Sequence, residues 1–505
     1  MLFSQLAVAE VRVPSVIASG MVLQRDAAVP IWGWAEAGEE VSLLLRSPDQ
    51  KEEFLRTVAD AKGNWRVSLS PRPAGGPYTL SIEGSNTIEL EDVLFGEVWL
   101  CSGQSNMEWP VAMSKDSELE IGTANYLEIR LFHVPKLPAG SPMPDLEASW
   151  QSTSPETIAT FSAVAYYFGR ELHRNLGVPV GLINSSWGGT RIEPWTPPVG
   201  FASVSGLEVL GETALATDAS YREGLSETLQ AIEAWVAETR SALASGGAIG
   251  PIPETAHPLA KEDQPTALYN GMIHPLAPFT IRGVIWYQGE RNVGEGMAYH
   301  DKMRALINGW REVWTQGEFP FYYVQLAPFD HGLGSLAALA GLNVSPHYLP
   351  EIWEAQTASL AIANTGMVVT NDIGNLRDIH PRNKQEVGRR LSLWALAKTY
   401  GQAELVYSGP LYRSMEIVGD AIVLHFDHAD GLRSRDGEPL SWFEIAGEDQ
   451  EFVAAAAVID GTTVMVSSDS VTQPTAVRFA WHQTAVHNLV NGAGLPASPF
   501  RTEAE

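Results

Sequence analysis

Residues 97–109 read Glu97-Val-Trp-Leu-Cys-Ser-Gly-Gln-Ser-Asn-Met-Glu-Trp109, an apolar run that ends in Gly103-Gln-Ser105-Asn106. The run has the composition of a buried strand, and the polar residues after it predict a tight turn into a helix. Such a turn can expose the Ser105 hydroxyl and aim nearby backbone N–H groups inward. A serine after a strand is also a common helix cap. This segment alone therefore nominates Ser105 as a nucleophile without deciding its role.

Further apolar runs between residues 92 and 402 alternate with segments of helical periodicity. Apolar residues recur at three- and four-residue intervals in residues 163–176, 299–314 and 383–400, which predicts helices that cover a sheet. This alternation favours an α/β fold with a largely parallel sheet, and chemistry usually sits at the carboxyl ends of its strands. The additional strand candidates begin at Pro179, Gly283, Phe319 and Gly366.

The two ends of the chain have a different pattern, with short β-prone runs separated by turn residues. We expect an N-terminal antiparallel β domain over residues 1–91, the α/β domain over 92–402, and a C-terminal β-rich region over 403–505. An Ala- and Glu-rich stretch, residues 225–243, predicts a helix inside an insertion at about residues 200–262.

Composition excludes several classes of protein. The formal net charge of −27 repels phosphate backbones and anionic membranes, so no nucleic-acid partner is expected. No run of about twenty uncharged apolar residues is present, so no membrane-spanning helix is expected. The single cysteine, Cys101, can form neither an intramolecular disulfide nor a cysteine-based zinc site.

The sequence does not decide the cellular compartment of the protein. Residues 1–15 start apolar but lack a basic segment, and Gln5, Glu10 and Arg12 interrupt them, so they make a poor signal peptide. The protein is periplasmic or secreted if a signal was removed, and otherwise cytoplasmic. Its oligomeric state is equally open.

A second polar segment, residues 370–383, follows the last strand candidate of the α/β region. Asp378 stands two residues before His380 in a loop bounded by proline, and a carboxylate so placed can fix the imidazole tautomer for a general base. Asp372 lies in the same loop and is a rival for this role. A histidine with a purely structural hydrogen bond is the alternative.

Two more loops offer donors for the oxyanion of an acyl-transfer reaction. The paired glycines Gly188 and Gly189 have N–H groups that a ligand can approach closely, and Gln288 offers a side-chain amide. Each loop could also be a simple connection. Four polar loops, each after a strand of one sheet, are harder to explain in that way.

Together these segments resemble the sialate O-acetylesterase family of carbohydrate esterases, in the SGNH hydrolase superfamily. The resemblance covers nearly the whole chain apart from the helical insertion. Its four central segments are Cys101-Ser-Gly-Gln-Ser-Asn-Met107, Ser185-Ser-Trp-Gly-Gly-Thr190, Trp286-Tyr-Gln-Gly-Glu290 and Asp378-Ile-His-Pro381. Further matches lie at residues 21–25, 29–34, 268–275 and 491–500.

The resemblance implies a three-layer α/β/α core and a serine esterase that removes O-acetyl groups from sugars without a cofactor or metal. Ser105 would be the nucleophile, His380 the base and Asp378 the orienting acid, although the superfamily more usually spaces the acid three residues before the histidine. The Ser105 N–H, one glycine of the Gly188-Gly189 pair and the Gln288 amide would form the oxyanion hole.

One departure from the family concerns substrate choice. The family usually has Gln-Gly-Glu-Ser-Asn where this chain has Arg291 after Glu290, and this cation could bind an acidic sugar or pair with Glu290 or Glu295. Aromatic side chains beside the loops could form a sugar platform, although packing in the core is equally common for them. The candidate substrate-binding residues are Trp109, Trp187, Arg191, Trp195, Tyr287, Glu290 and Arg291.

The sequence does not separate acetylated plant glycans from O-acetyl sialic acid, and the tryptophan-rich loops favour neutral plant-type sugars slightly. A carbohydrate-binding protein with an inactive esterase core is the alternative function. A metal-dependent hydrolase is disfavoured because no His-Glu-x-x-His motif occurs. A lipase-like α/β-hydrolase would usually have Gly-x-Ser-x-Gly, and no serine here has glycines at both positions.

Overall fold

The computed structural model of this chain describes residues 10–334 and 345–503. Most of the leader-like segment considered above, residues 1–9, lies outside the described residues. None of the described helices combines the length and the apolar composition needed to cross a bilayer.

The N-terminal region consists of short strands that pair mostly antiparallel. β3 pairs with β4 and β6, whereas β2 pairs with β5 in a separate two-stranded sheet. In β3 the apolar residues Val41, Leu43 and Leu45 alternate with polar ones and are buried, as the period of two predicts. The strands are β1 Val22–Gln24, β2 Val29–Trp34, β3 Glu40–Arg46, β4 Glu52–Val58, β5 Asn64–Leu69 and β6 Gly75–Glu83.

The long strand β7, Thr87–Gly103, joins this region to the α/β core. Its first half pairs antiparallel with β6, and its second half pairs parallel with β10 and β11 at the centre of the main sheet. The boundary predicted at residue 92 therefore falls inside a strand that serves both regions.

The core sheet has the order β13-β12-β11-β7-β10-β8-β9, and its neighbours are parallel except for β8 and β9. This order confirms the mainly parallel sheet. The strands other than β7 are β8 Tyr126–His133, β9 Trp150–Thr153, β10 Val180–Ser186, β11 Gly283–Tyr287, β12 Phe321–Val324 and β13 Thr365–Val368.

Helices cover both faces of this sheet and complete the three layers. On β12, Phe321 contacts Trp310 of α7 on one face, and the next residue, Tyr322, contacts Trp394 of α10 on the other. The helices are α1 Ser105–Glu108, α2 Ser117–Gly122, α3 Pro155–Ile158, α4 Ala163–Leu176, α5 Pro198–Ala202, α6 Glu208–Ser245, α7 Ala298–Trp314, α8 His331–Gly334, α9 Tyr348–Ala358 and α10 Lys384–Trp394. The three helices predicted from periodicity correspond to α4, α7 and α10.

The insertion contains the 38-residue helix α6, which includes the stretch predicted to be helical. Its buried residues, Gly211 and Ala214, lie near its beginning. The chain then returns along the helix, where the Trp235 indole donates to the Gly250 carbonyl at 2.8 Å and the Tyr221 hydroxyl donates to the Thr255 carbonyl at 2.8 Å. We call residues 222–254 the arm.

The C-terminal region forms two four-stranded sheets and one two-stranded sheet around its own apolar cluster. It contacts the α/β core through Arg501, which binds the Glu354 carboxylate with two hydrogen bonds of 2.8 and 2.9 Å. Its strands are β14 Leu411–Val418, β15 Ala421–Asp427, β16 Arg433–Ser434, β17 Phe443–Ala446, β18 Val453–Ala454, β19 Ala456–Asp460, β20 Thr463–Ser467, β21 Ala476–Phe479, β22 Leu489–Val490 and β23 Phe500–Arg501.

Candidate active site

Three of the four predicted loops meet because their strands are neighbours. β10 and β11 lie on either side of β7, so the loops at their carboxyl ends surround Ser105. Backbone hydrogen bonds tie them together: the Trp187 N–H donates to the Gly103 carbonyl and the Gln104 N–H donates to the Tyr287 carbonyl, both at 3.0 Å.

Gly103 makes the turn at Ser105 possible. Its φ is +141°, and a Cβ atom there would lie 2.2 Å from the Tyr287 carbonyl oxygen, so a larger residue would push β11 away. α1 begins immediately afterwards with Ser105, which is partly exposed. The nucleophile candidate thus stands at a helix N-terminus, where backbone N–H groups favour negative charge.

The fourth loop brings His380 to this serine from the edge strand β13. The distance from His380 Nε2 to Ser105 Oγ is 2.9 Å. On its other side, His380 Nδ1 lies 3.6 Å from Asp378 Oδ1, and the same carboxyl oxygen accepts the His380 backbone N–H at 3.0 Å. These contacts give the order of groups that a serine nucleophile, its base and an orienting acid require.

Asp372 is engaged elsewhere. Its carboxylate binds Arg390 through hydrogen bonds of 2.6 and 2.7 Å, and both side chains are largely buried. Asp372 therefore holds the loop against α10, and the geometry favours Asp378 as the acid that faces the imidazole.

Trp109 covers the imidazole of His380. The two rings are stacked, with centroids 4.5 Å apart and planes 16° apart. Burial and the nearby Lys384 cation lower the pKa of His380, and Asp378 opposes them. A lower pKa keeps the imidazole neutral, and therefore able to accept a proton, in more acidic solution.

The glycine pair lies beside Ser105, as expected. A Cβ atom on Gly188 would be 3.1 Å from the Ser105 Cβ, whereas one on Gly189 would meet nothing within 4 Å. The Gly188 N–H donates to Glu108 Oε2 at 2.6 Å, so a side chain of α1 occupies this donor. Glu108 also forms an ion pair with Lys136.

Gln288 differs from its expected role. The residue is fully buried, and its Nε2 donates to the Thr190 carbonyl at 3.1 Å and to Asn292 Oδ1 at 2.8 Å. Both amide hydrogens therefore have protein acceptors. In this structure Gln288 ties the β10 loop to the β11 loop and presents no spare donor to an oxyanion.

The proposed sugar platform is smaller than expected. Trp109 and Trp187 are partly exposed, but Trp195 and Tyr287 have no exposed surface, so the expectation that these two contact sugar is wrong for this conformation. Trp195 packs in the core and donates to Thr190 Oγ1 at 3.0 Å.

The charged candidates also differ in their surroundings. Arg191 forms ion pairs with Glu193 and Glu295. Arg291 is exposed, and within residues 10–334 and 345–503 no ion pair joins it to Glu290 or Glu295. The Glu290 carboxylate accepts a hydrogen bond from the Asn106 side-chain amide.

Sequence reasoning missed four polar residues around Ser105: Asn106, Glu108, Lys136 and Lys384. Lys136 lies after β8, and its ammonium nitrogen is 5.7 Å from the centroid of the Trp187 ring. Asn106 and Glu108 belong to the motif that nominated Ser105, and Lys384 follows His380 by four residues. For Asn106, Glu108 and Lys384, closeness in sequence to the candidates was the available signal, whereas Lys136 is not close in sequence to any of them.

The arrangement of possible metal ligands and the state of Cys101 complete the description of the site. Within the described ranges, no three His, Cys, Asp or Glu side chains are grouped so that they could hold a metal ion. Cys101 is buried in β7, and burial raises the pKa of its thiol, so it stays protonated.

Comparisons with known proteins place this chain in a family. Residues 245–395 match the model of a carbohydrate esterase family described as sialic acid-specific acetylesterase. The sialate O-acetylesterase of Rattus norvegicus is 31% identical over 97% of this chain and 94% of its own length. The human sialate O-acetylesterase is 32% identical over 83% of this chain and 76% of its own.

A solved structure matches this chain along nearly its whole length. A carbohydrate acetylesterase from Xanthomonas citri is 35% identical and superposes with a TM-score of 0.81, covering 98% of this chain and 100% of that one. The mixed α/β core with β-rich regions at both ends is therefore shared with a carbohydrate acetylesterase. The chain is a carboxylic ester hydrolase and belongs to the sialate O-acetylesterase family of carbohydrate esterases.

Proposed function

We propose that this protein hydrolyses O-acetyl esters of carbohydrates through an acetyl-enzyme on Ser105, with His380 as general base. The observation that carries the proposal is the 2.9 Å contact between His380 Nε2 and Ser105 Oγ. Ser105 Oγ attacks the acetyl carbonyl while His380 takes its proton, and Asp378 stabilises the imidazolium that forms.

Backbone N–H groups supply the oxyanion hole in this mechanism. The Ser105 N–H belongs to the first turn of α1, where N–H groups have no partner within the helix. The Gly188-Gly189 pair supplies the second donor, which for Gly188 requires that the acetyl oxygen replace Glu108 Oε2.

Three further proton transfers complete the reaction. When the tetrahedral intermediate collapses, the sugar oxygen leaves with the proton held by His380. His380 then takes a proton from water, which attacks the acetyl carbon. When this second tetrahedral intermediate collapses, His380 returns the proton to Ser105 Oγ, which frees the serine and releases acetic acid that ionises to acetate. No step requires a cofactor.

The substrate is an acetylated plant-type glycan or an O-acetyl sialic acid. Partly exposed Trp109 and Trp187 suit the apolar face of a neutral sugar. Exposed Arg291 suits a carboxylate on an acidic sugar. Acetate release from acetylated substrates of both classes decides between a neutral and an acidic sugar.

Acetate release tests the nucleophile. We expect Ser105→Ala to lose about three orders of magnitude or more in kcat on an aryl acetate and on acetylated xylan, xyloglucan, pectin and O-acetyl sialic acid. Ser102→Ala is the matched control, since Ser102 lies on β7, the strand that leads to Ser105, with its hydroxyl buried, and we expect it to retain activity. If Ser105→Ala is as active as the wild type, or if the wild type is inert on every acetyl ester, this mechanism is wrong.

A further inference from the structure

A lysine lies buried beneath the candidate active site. Lys384 is the first residue of α10, four residues after His380, and its side chain has no exposed surface. A buried ammonium group is costly unless neighbouring groups compensate for its lost hydration. The mechanism described above does not use this residue.

Asn106 connects this lysine to the reacting groups. Its Oδ1 accepts a hydrogen bond from Lys384 Nζ, and its Nδ2 donates to Glu290 Oε1 and, at 3.0 Å, to the Ile379 carbonyl. These partners fix both ends of the amide. Because Asn106 follows Ser105 and Ile379 precedes His380, one side chain ties the nucleophile turn to the loop that carries the base.

The charged groups that face His380 lie in its own loop and on α10. Asp378 is the carboxylate in the same loop and Lys384 the cation on α10, whereas Glu290, after β11, faces Lys384. The Lys384 nitrogen is also 5.2 Å from the centroid of the Tyr287 ring and 6.0 Å from that of Trp109, the ring that stacks on His380. The carboxylate on α1, Glu108, pairs with Lys136 instead.

We propose that Lys384 is a positioning residue of the esterase: through Asn106 it holds the His380 loop, and its cation disfavours protonation of the imidazole. The inference rests on the proposed role of His380 as the base. A nearby cation opposes a second positive charge on the imidazole, so the base stays competent in more acidic solution.

The ionisation of Lys384 fits this role. Burial lowers its pKa to about 7, opposed by Glu290 and Asp378. The lysine therefore carries its charge mainly below about pH 7, which is the range in which an ordinary histidine, with a pKa of about 6.5, would become protonated. Lys384 is therefore charged in the pH range in which its charge can oppose protonation of His380.

The test is the pH dependence of kcat/KM on an aryl acetate, whose acid limb reports the free base. For the wild type we expect this limb below the ordinary histidine pKa of about 6.5. Lys384→Gln keeps a donor for Asn106 and removes the charge, so its acid limb should move up by about one pH unit. Lys384→Met also removes the donor and should lose activity at every pH as well.

Arg382→Gln is the matched control, because it removes an exposed cation two residues from His380 and should leave the acid limb in place. A uniform loss of activity in Lys384→Gln with an unmoved acid limb would overturn the proposal. A wild-type acid limb at or above about pH 6.5 would overturn it even if both lysine variants failed to fold. If Ser105→Ala remains active, the proposed function itself fails first, which separates the two outcomes.

Discussion

At the scale of single residues, Asp372 and Asp378 have different roles in the loop after β13. Asp378 faces His380 but is more than a third exposed, with its carboxyl oxygen 3.6 Å from Nδ1. Asp372 is nearly buried and paired with Arg390. An exposed and loosely placed acid contributes modestly to catalysis, whereas a buried ion pair loses much stability when one partner is removed.

These positions predict opposite phenotypes. Asp378→Asn should lower kcat/KM by about 10- to 100-fold, less than in tightly held triads, and should leave the unfolding temperature nearly unchanged. Asp372→Asn should lower the free energy of unfolding by about 3 kcal/mol with a smaller effect on kcat. Kinetics and denaturant unfolding of both variants check this assignment. Exchange of the two phenotypes would make Asp372 the orienting acid.

At the scale of elements, the site depends on how closely the loop after β10 approaches α1. Gly188 lies against the Ser105 Cβ and the Glu108 carboxylate, while Gly189 occupies open space with a φ of +78°. A side chain at the first position pushes on the nucleophile. At the second it meets no atom but strains the backbone, because left-handed conformations favour glycine.

Two alanine variants separate these effects. Gly188→Ala should reduce kcat by about 10- to 100-fold, since a displaced nucleophile loses its alignment with His380. Gly189→Ala should cost about 1 kcal/mol of stability and retain most activity. Aryl acetate kinetics with thermal unfolding would show the difference. Equal kinetic losses in the two variants would argue against the contact between Gly188 and Ser105 as the cause.

At the scale of the whole molecule, the arm adds little to the core. The buried residues of α6, Gly211 and Ala214, precede the arm, and Tyr221 and Thr255 bring its two ends together. Stability in such a protein comes from the apolar core around the sheet, to which exposed extensions contribute little.

We therefore expect replacement of residues 222–254 by a short Gly-Ser linker to shift the unfolding temperature by no more than a few degrees. Activity on an aryl acetate should stay within about threefold of the wild type. A scrambled arm of the same composition is the control for length. An insoluble product, or a fall of about 10 °C or more, would show that the arm is part of the folding unit.

The sequence by itself determined five of the seven described strands of the core sheet, the main helices and the choice of Ser105 and His380 as candidates. Their signals are local: β11 and α4 follow apolar periodicity within one segment, and the small and polar residues after a strand mark its functional end. The family resemblance rests on segments of the same kind, and the comparisons confirm it.

Only the tertiary structure decided which polar and aromatic side chains are accessible. Gln288 and Trp195 follow core strands in polar loops, as Trp187 does, yet contacts with Thr190 take them out of the open site. Lys384 and Asn106 meet across 278 residues of sequence. Burial and hydrogen-bond partners come from such distant contacts, which no local pattern contains.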